Sequence, residues 1–429
     1  MKRQRREGVQ MGAEMELTRV LKELLYADCE TIGDEKICEV YRNCFRSTWE
    51  TTLSMEEDGS AFVITGDIGA MWLRDSSMQV LPYFRAVSDE AVERALRGLI
   101  RKQAKLILTD AYANAFNQKG DYSCYSRDKT EMGAFIWERK YEVDSLAFPL
   151  MLLAKYITAT GRQDILTEEV PAALDRVLEV WETEQCHETS PYTFERDSDL
   201  ETETLQNQGK GTPTAYTGMT WSGFRPSDDA CRYHYLVPSN MLAVSALRRL
   251  CTLPVGEEMI CRAKKLAEEI STGIYRYGIV RHPVHGEIFA YETDGLGHYN
   301  LMDDANVPSL LAAPWFGFCE KEDVLYQNTR RFVLSESNPY YYKGKAAEGV
   351  GSPHTPAGYV WHIAIAIRGL TAESREEQKE MLDMLVRTTA GTGCMHEGVD
   401  VNAPEHYTRP WFAWANSMFC LLVEAYFHL

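Results

Sequence analysis

Residues 220–231 read TWSGFRPSDDAC and carry two adjacent carboxylates, Asp228 and Asp229, after a Pro-Ser turn. Consecutive side chains cannot share a direction on a regular backbone. One of the pair can therefore face a pocket while the other caps a helix or pairs with Arg225 or Arg232. Far downstream, GTGCMHE over 391–397 holds a third carboxylate, Glu397, just before the aromatic run TRPWFAWAN over 408–416. Glycoside hydrolysis uses two such groups, a protonated carboxyl for the leaving oxygen and an ionised one for water or the anomeric carbon. Spacing does not assign the two roles, and a pair of helix-start acids accounts for Asp228 and Asp229 equally well. His396 reads as a hydrogen-bonding satellite of Glu397 and not as a metal ligand.

A second group of polar and aromatic residues lies in TGDIGAMWLRDSSMQVLPY over 65–83. Trp72, Asp75, Gln79 and Tyr83 fall on one helical face, beside an apolar stripe of Leu73, Ser77, Val80 and Phe84. Trp, Asp and Gln together, with Arg74 alongside, suit a sugar: ring faces for its C–H surface and charged groups for its hydroxyls. The competing account is a buried helix in which Arg74 and Asp75 simply pair with each other. Asp303-Asp304 could hold magnesium or calcium, but Asn306 and Pro308 follow at a helix start, so capping is at least as good a reading. His354, after Ser-Pro in the glycine-rich run 349–354, fits a sugar-hydroxyl ligand better than a core histidine. Trp72, Trp411 and Trp414 are candidate pocket walls, with Trp414 favouring the core.

These residues need elements to position them. Apolar periodicity predicts helices over 14–25, 72–84, 88–108, 143–158, 165–184, 238–250, 257–275, 307–317, 324–334, 359–370, 373–388 and 410–428. Pro410 would sit in the first turn of the last of these. Strand-like alternation is confined to a short hairpin over 278–291. Between the helices lie loops over 113–131, 186–237, 276–306, 335–358 and 389–409, dense in Gly, Pro, Asp and aromatics. Loops that long in a compact chain are usually functional. Antiparallel pairs of about a dozen helices can close into a two-ring toroid with the loops gathered at one rim. No linker divides the chain, so one domain is expected over 15–429, with 1–14 a flexible basic lead.

Composition narrows the function further. The chain has 429 residues, 45% of them hydrophobic, and a formal net charge of −18. Such acidity argues against nucleic-acid binding, which needs concentrated cationic charge. No apolar run of membrane-spanning length occurs. Glu14, Glu16 and Arg19 interrupt what would be the apolar part of a signal peptide. The 11 cysteines include no C-x-x-C pair; they read as reduced thiols in a cytoplasmic protein, with neither a disulfide frame nor a zinc site.

Taken together, GDIGAMWLRDS, WERKYEVDSL, TWSGFRPSDDA with LVPSN, MDDANVPSLL, GSPHTP, and MHE with TRPWFAWANS span most of the chain in one order. On these motifs the sequence resembles glycoside hydrolase family 125, metal-independent exo-acting α-1,6-mannosidases. The resemblance implies an all-α fold, an (α/α)6 toroid or barrel of six helical hairpins with long rim loops. It also implies an inverting hydrolase without cofactor or metal, acting on a mannose-terminated oligosaccharide; a monomer or weak homo-oligomer is expected. Carried onto this chain, the general acid is Asp228 or Asp229, with a lean to Asp228, and the general base is Glu397. The sugar-binding residues correspond to Trp72, Arg74, Asp75, Asn306 and His354. Gly69 and His362 stand where proline is commoner in the family, which bears on fine specificity. Rival readings are a calcium-dependent α-mannosidase or another toroid glycosidase, a sugar-binding protein without turnover, and, more distantly, a prenyl-diphosphate cyclase.

Overall fold

Several of the outer helices begin where the sequence provides a side-chain cap. The computed structural model describes residues 15–167 and 169–429; the basic lead over 1–14 lies outside the described residues. Helix α1 (Arg19–Ile32) starts at Thr18, whose hydroxyl accepts from the Leu21 N–H, and stops at Gly33 with φ 63°. Asp34 immediately caps α2 (Glu35–Ser47) through the N–H groups of Lys36 and Ile37. This helix was not predicted from periodicity, although Asp34 marks its start. Cys29 and Cys38 are joined by a disulfide between the two helices, Cα atoms 5.4 Å apart. The expectation of reduced thiols throughout is therefore corrected, and the cysteine count no longer argues for a cytoplasmic location. The remaining cysteines are free.

The chain continues through α3 (Leu73–Gln79), α4 (Glu90–Thr109), α5 (Val143–Thr160), α6 (Glu169–Glu184), α7 (Val237–Leu250), α8 (Glu257–Tyr277), α9 (Val324–Val333), α10 (His362–Leu370), α11 (Arg375–Arg387) and α12 (Ala413–Phe427). Five of these are buried on nearly every side: α3, α5, α7, α10 and α12. All-round burial marks an inner layer. They succeed one another in space, α10 on α12, α12 on α3, α3 on α5 and α5 on α7. Around them lie amphipathic helices with one buried face, among them α2 on α12, α4 on α5, α8 on α7 and α11 on α10. The architecture is a two-layered, helix-rich body whose sheets are small. Among the described residues no helix is long and apolar enough to cross a membrane.

Two predicted helices are corrected. Residues 307–317 form a chain of turns, not a helix, because Pro308 and Pro314 each remove a backbone donor and clash with the preceding turn. Pro410 lies outside α12, which begins at Ala413. The backbone before it is extended and bridges to residues 65–67: the Ala413 N–H donates to the Thr65 carbonyl at 3.1 Å and the Asp67 N–H to the Trp411 carbonyl at 3.1 Å. Gly66, with φ 136°, permits that approach, since a Cβ there would collide with the Trp411 carbonyl. The predicted helix over 72–84 is shorter, ending at Gln79, and 359–361 is a strand leading into α10. The hairpin forms as predicted, Ile279–His282 against Gly286–Phe289.

Inner helices are entered from two- or three-residue strands at one end of the body. Met71–Trp72 leads into α3, Tyr235–Leu236 into α7 and Tyr359–Trp361 into α10. None of the five inner helices has a side-chain N-cap. Their open N–H groups and positive dipole ends favour negative charge placed nearby.

Candidate active site

Where α3, α10 and α12 begin, a pocket opens. Its lining includes Trp72, Arg74, Asp75, Asp228, Asn306, His354 and Glu397, and also Trp361, Arg409 and Phe412. Seven of the eight residues that the resemblance assigns to catalysis and sugar binding thus meet in one hollow. The eighth, Asp229, is buried directly behind it.

Asp228 and Asp229 are separated by the turn that carries them. The Asp228 N–H donates to the Arg225 carbonyl at 2.9 Å and the Arg225 N–H to the Asp229 carbonyl at 2.8 Å. This closed loop holds Asp228 at φ 70°, a left-handed conformation that is unfavourable for a side-chain-bearing residue and persists where the surroundings enforce it. Lys140 Nζ adds a bond to the Asp228 carbonyl at 2.8 Å, and Asn114 Nδ2 reaches Asp228 Oδ1 at 3.4 Å. Asp228 therefore points into the pocket. Asp229 does not pair with Arg225 or Arg232, the partners expected for whichever residue faces away from the pocket; Arg225 is taken by Glu292 at 2.6 Å. Instead Asp229 Oδ1 meets His354 Nδ1 at 3.1 Å. Burial alone would lower the His354 pKa, but the bond to Asp229 and the nearby carboxylates of Glu397 and Asp228 raise it to about 9. The imidazolium is the dominant form until pH rises through that value, so its attraction to Asp229 is lost above about pH 9 and not below.

Glu397 stands at the foot of the strand Gly398–Asp400, which pairs with Tyr359–Trp361. Its carbonyl accepts from the His362 N–H at 3.2 Å and its N–H donates to the Thr408 carbonyl at 3.3 Å. Burial pushes its carboxyl upward, while the Arg409 guanidinium and His354 draw it back. Arg409 is fixed by Asp67, with Nη2 and Nε at 2.6 and 3.0 Å from one carboxylate oxygen. His396 turns its ring to the Arg409 and Thr389 carbonyls at 3.4 and 3.3 Å, not to the Glu397 carboxylate. It is buried, stacks on Tyr407 with ring centroids 3.8 Å apart, and donates its backbone N–H to His362 Nδ1 at 2.8 Å. Burial pushes His362 down to about 3, so its ring is neutral and free to accept that bond. The His at this position thereby ties α10 to the loop that carries Glu397.

Asp75 accepts from the Thr65 hydroxyl at 2.6 Å, leaving its other carboxylate oxygen toward Arg74 Nε at 3.6 Å. Arg74 is held from behind by Glu142 at 2.6 Å and Asp144 at 3.0 Å, and its Nε is buried without a hydrogen-bond partner. Arg74 and Asp75 thus face each other as an ion pair and also line the pocket. The longer stripe does not: Gln79 accepts from Thr52 at 2.9 Å and donates to the Ile64 carbonyl, and Tyr83 donates to the Phe45 carbonyl. Only Trp72 and Asp75 of that face reach the pocket, because α3 ends at Gln79. Asn306 accepts from the Val307 N–H at 3.1 Å and donates to the Pro226 carbonyl at 2.6 Å.

The pair Asp303-Asp304 is otherwise engaged. Asp303 caps the turn after it through the N–H groups of Leu310 and Leu311 at 2.9 and 3.0 Å, and Asp304 accepts from Ser227 at 2.7 Å. Among the described residues no group of three or more His, Cys, Asp or Glu side chains is arranged to hold a metal ion. Of the predicted walls, Trp72 lines the pocket, whereas Trp414 lies fully buried with Arg74 5.6 Å from its ring. Trp411 packs against the main core, and its neighbour Phe412 takes the pocket position. Trp361, Arg409 and Phe412 were not singled out from sequence; Arg409 and Phe412 lie inside the aromatic run that was quoted, one and four residues past Thr408.

Comparison with known proteins places these observations. The family model described as metal-independent alpha-mannosidase (GH125) matches residues 34–424. A solved α-mannosidase from Streptococcus pneumoniae, described as metal-independent and captured in a non-productive complex with α-1,6-mannobiose, is 44% identical, with a TM-score of 0.94 over 96% of this chain and 99% of that one. The meiotically up-regulated gene 157 protein of Schizosaccharomyces pombe is 39% identical over 421 residues, 92% of this chain and 83% of that protein. A bacterial glucoamylase bound to acarbose shares the fold alone, at 12% identity and a TM-score of 0.57 over 91% of this chain and 55% of its own.

Proposed function

The chain belongs to the metal-independent α-mannosidases of glycoside hydrolase family 125, and from that premise we propose that it releases terminal mannose from α-1,6-linked mannosides by a single, inverting displacement. The pocket supports this reading through one observation above the rest. Asp228 and Glu397, from loops far apart in sequence, open onto the same hollow. Its setting is proposed to be a barrel of six helical hairpins, of which the inner layer and its rim loops are the parts that matter here.

In this account Asp228 is the general acid that gives a proton to the glycosidic oxygen as the bond breaks. Glu397 takes a proton from a water that attacks the anomeric carbon from the opposite face. A buried carboxylate with a raised pKa is a stronger base than an exposed one, and Arg409 with His354 favours its ionised form. Asp75, Arg74, His354 and Asn306 are proposed to bind the sugar hydroxyls, with Trp72 and Trp361 against its C–H surface. Positive dipole ends of α3, α10 and α12 favour the site's anionic carboxylates. Asp229 holds His354 and takes no proton-transfer role.

Incubating the protein with synthetic α-1,6-mannobiose in excess chelator tests the assignment. Mannose is expected to accumulate at the rate seen without chelator. Binding of the disaccharide without product would leave only a sugar-binding role, and loss of activity restored by calcium would favour the metal-dependent reading.

A further inference from the structure

The strands Ala115–Phe116 and Ile136–Glu138 pair with each other, and the first also pairs with Met71–Trp72, which carries a wall of the pocket. The loop they enclose, 117–135, therefore springs from the pocket's edge. An apolar cluster separate from the main core, built on Trp72 and Ala115 with Trp137 against them, lies at its base. Farther out the same loop exposes three large rings to solvent: Tyr122 at 71%, Tyr125 at 62% and Phe135 at 42%. Folding gains little from rings left in water, and their concentration on one loop that springs from the pocket's edge suits a binding role.

The rings are held in place. The Tyr125 N–H donates to the Trp137 carbonyl at 3.1 Å, and the Arg196 guanidinium lies 5.0 Å from the Tyr125 ring centroid. Arg196 is itself clamped by Asp128, Glu138 and Glu203 at 2.7, 2.8 and 2.6 Å. Tyr122 keeps a left-handed φ of 59° while its N–H donates to the Ala134 carbonyl at 3.0 Å. Phe135 lies so close to Gly120 that a Cβ there would be 3.0 Å from its ring.

Direction identifies the occupant. A general acid must touch the leaving oxygen, so the remainder of the substrate departs on the acid's side of the pocket. That side is the one joined to this loop: Lys140 bonds both the Asp228 carbonyl and Glu203, Glu203 bonds Arg196, and Asn114, which reaches Asp228, directly precedes the first strand. We propose that Tyr122, Tyr125 and Phe135 form a stacking platform for the second and later mannosyl units past the scissile bond of a longer α-mannoside. This rests on the hydrolase reading above and adds to it a preference for chain length. Aromatic rings contribute large contact area at small conformational cost, and sugar C–H faces pack on them without a fixed hydrogen-bond pattern.

The test compares kcat/KM on α-1,6-linked mannobiose, mannotriose and mannotetraose for the wild type, Tyr125→Ala, Phe135→Ala and the double variant. Each Ala is expected to lower kcat/KM on the longer substrates by about fivefold, leaving mannobiose unchanged. Tyr125→Phe, which keeps the ring, should retain wild-type selectivity. Equal losses on all three substrates, or no loss on any, would overturn the platform while the hydrolase assignment stood. A wild type that releases no mannose even from mannobiose would instead overturn the parent assignment, and the platform with it.

Discussion

Glu397→Gln is expected to lower kcat on α-1,6-mannobiose by at least about a hundredfold, the lower end of what a positioned general base contributes, with KM little changed. The amide preserves the volume of the side chain and the backbone bonds to His362 and Thr408, but it cannot accept a proton from water. Folding should be unharmed. Burial disfavours the charge of Glu397, so a neutral isostere removes a group whose ionised form the fold tolerates only because Arg409 and His354 stand by. Steady-state kinetics beside a thermal melt separates the two effects. A full rate in the variant would remove Glu397 from the mechanism, and a collapsed melt would show that its charge holds the strand Gly398–Asp400 in place.

Asp228→Asn and Asp229→Asn should part company when the leaving group is changed. If Asp228 is the acid, its amide variant loses about 10²- to 10⁴-fold on mannobiose, whose sugar leaving group needs a proton. On an aryl mannoside with a strongly acidic phenol, the same variant should keep most of its activity, because that leaving group departs unassisted. Asp229→Asn removes the carboxylate that faces His354 at 3.1 Å. Its loss should be similar for both substrates and fall mainly on KM, as expected for a sugar-binding ring that has lost its partner. The reverse pattern, with Asp229→Asn rescued by the good leaving group, would make Asp229 the acid and require the turn over 225–229 to rearrange on binding.

The sequence made some of this legible and hid the rest for physical reasons. Long helices with apolar stripes and clear caps were readable; Asp89, whose carboxylate takes the Ala91 and Val92 N–H groups, marks the start of α4 within a residue of its expected position. Segments whose apolar residues are buried without a helix were not, as over 307–317, where prolines override hydrophobic periodicity. The candidate site was readable as motifs because each loop keeps its polar residues together. What joins those loops was hidden. Asp229 meets His354, Asp67 meets Arg409 and Gly66 bridges to Phe412, each across more than a hundred residues of sequence, and no local pattern records such a meeting. Trp361 was passed over since a strand of three residues before a helix reads as part of that helix. The bridge between Cys29 and Cys38 escaped for a similar reason: it closes between two helices, one of which had not been recognised.

Proton NMR of the first turnovers of α-1,6-mannobiose bears most directly on the central claim, that Asp228 and Glu397 act from opposite sides of one anomeric carbon. Attack by a Glu397-activated water predicts that β-mannose appears first and then mutarotates toward the equilibrium mixture. α-Mannose as the initial product would mean a double displacement through a covalent intermediate, and would contradict the assignment of Glu397 as a base.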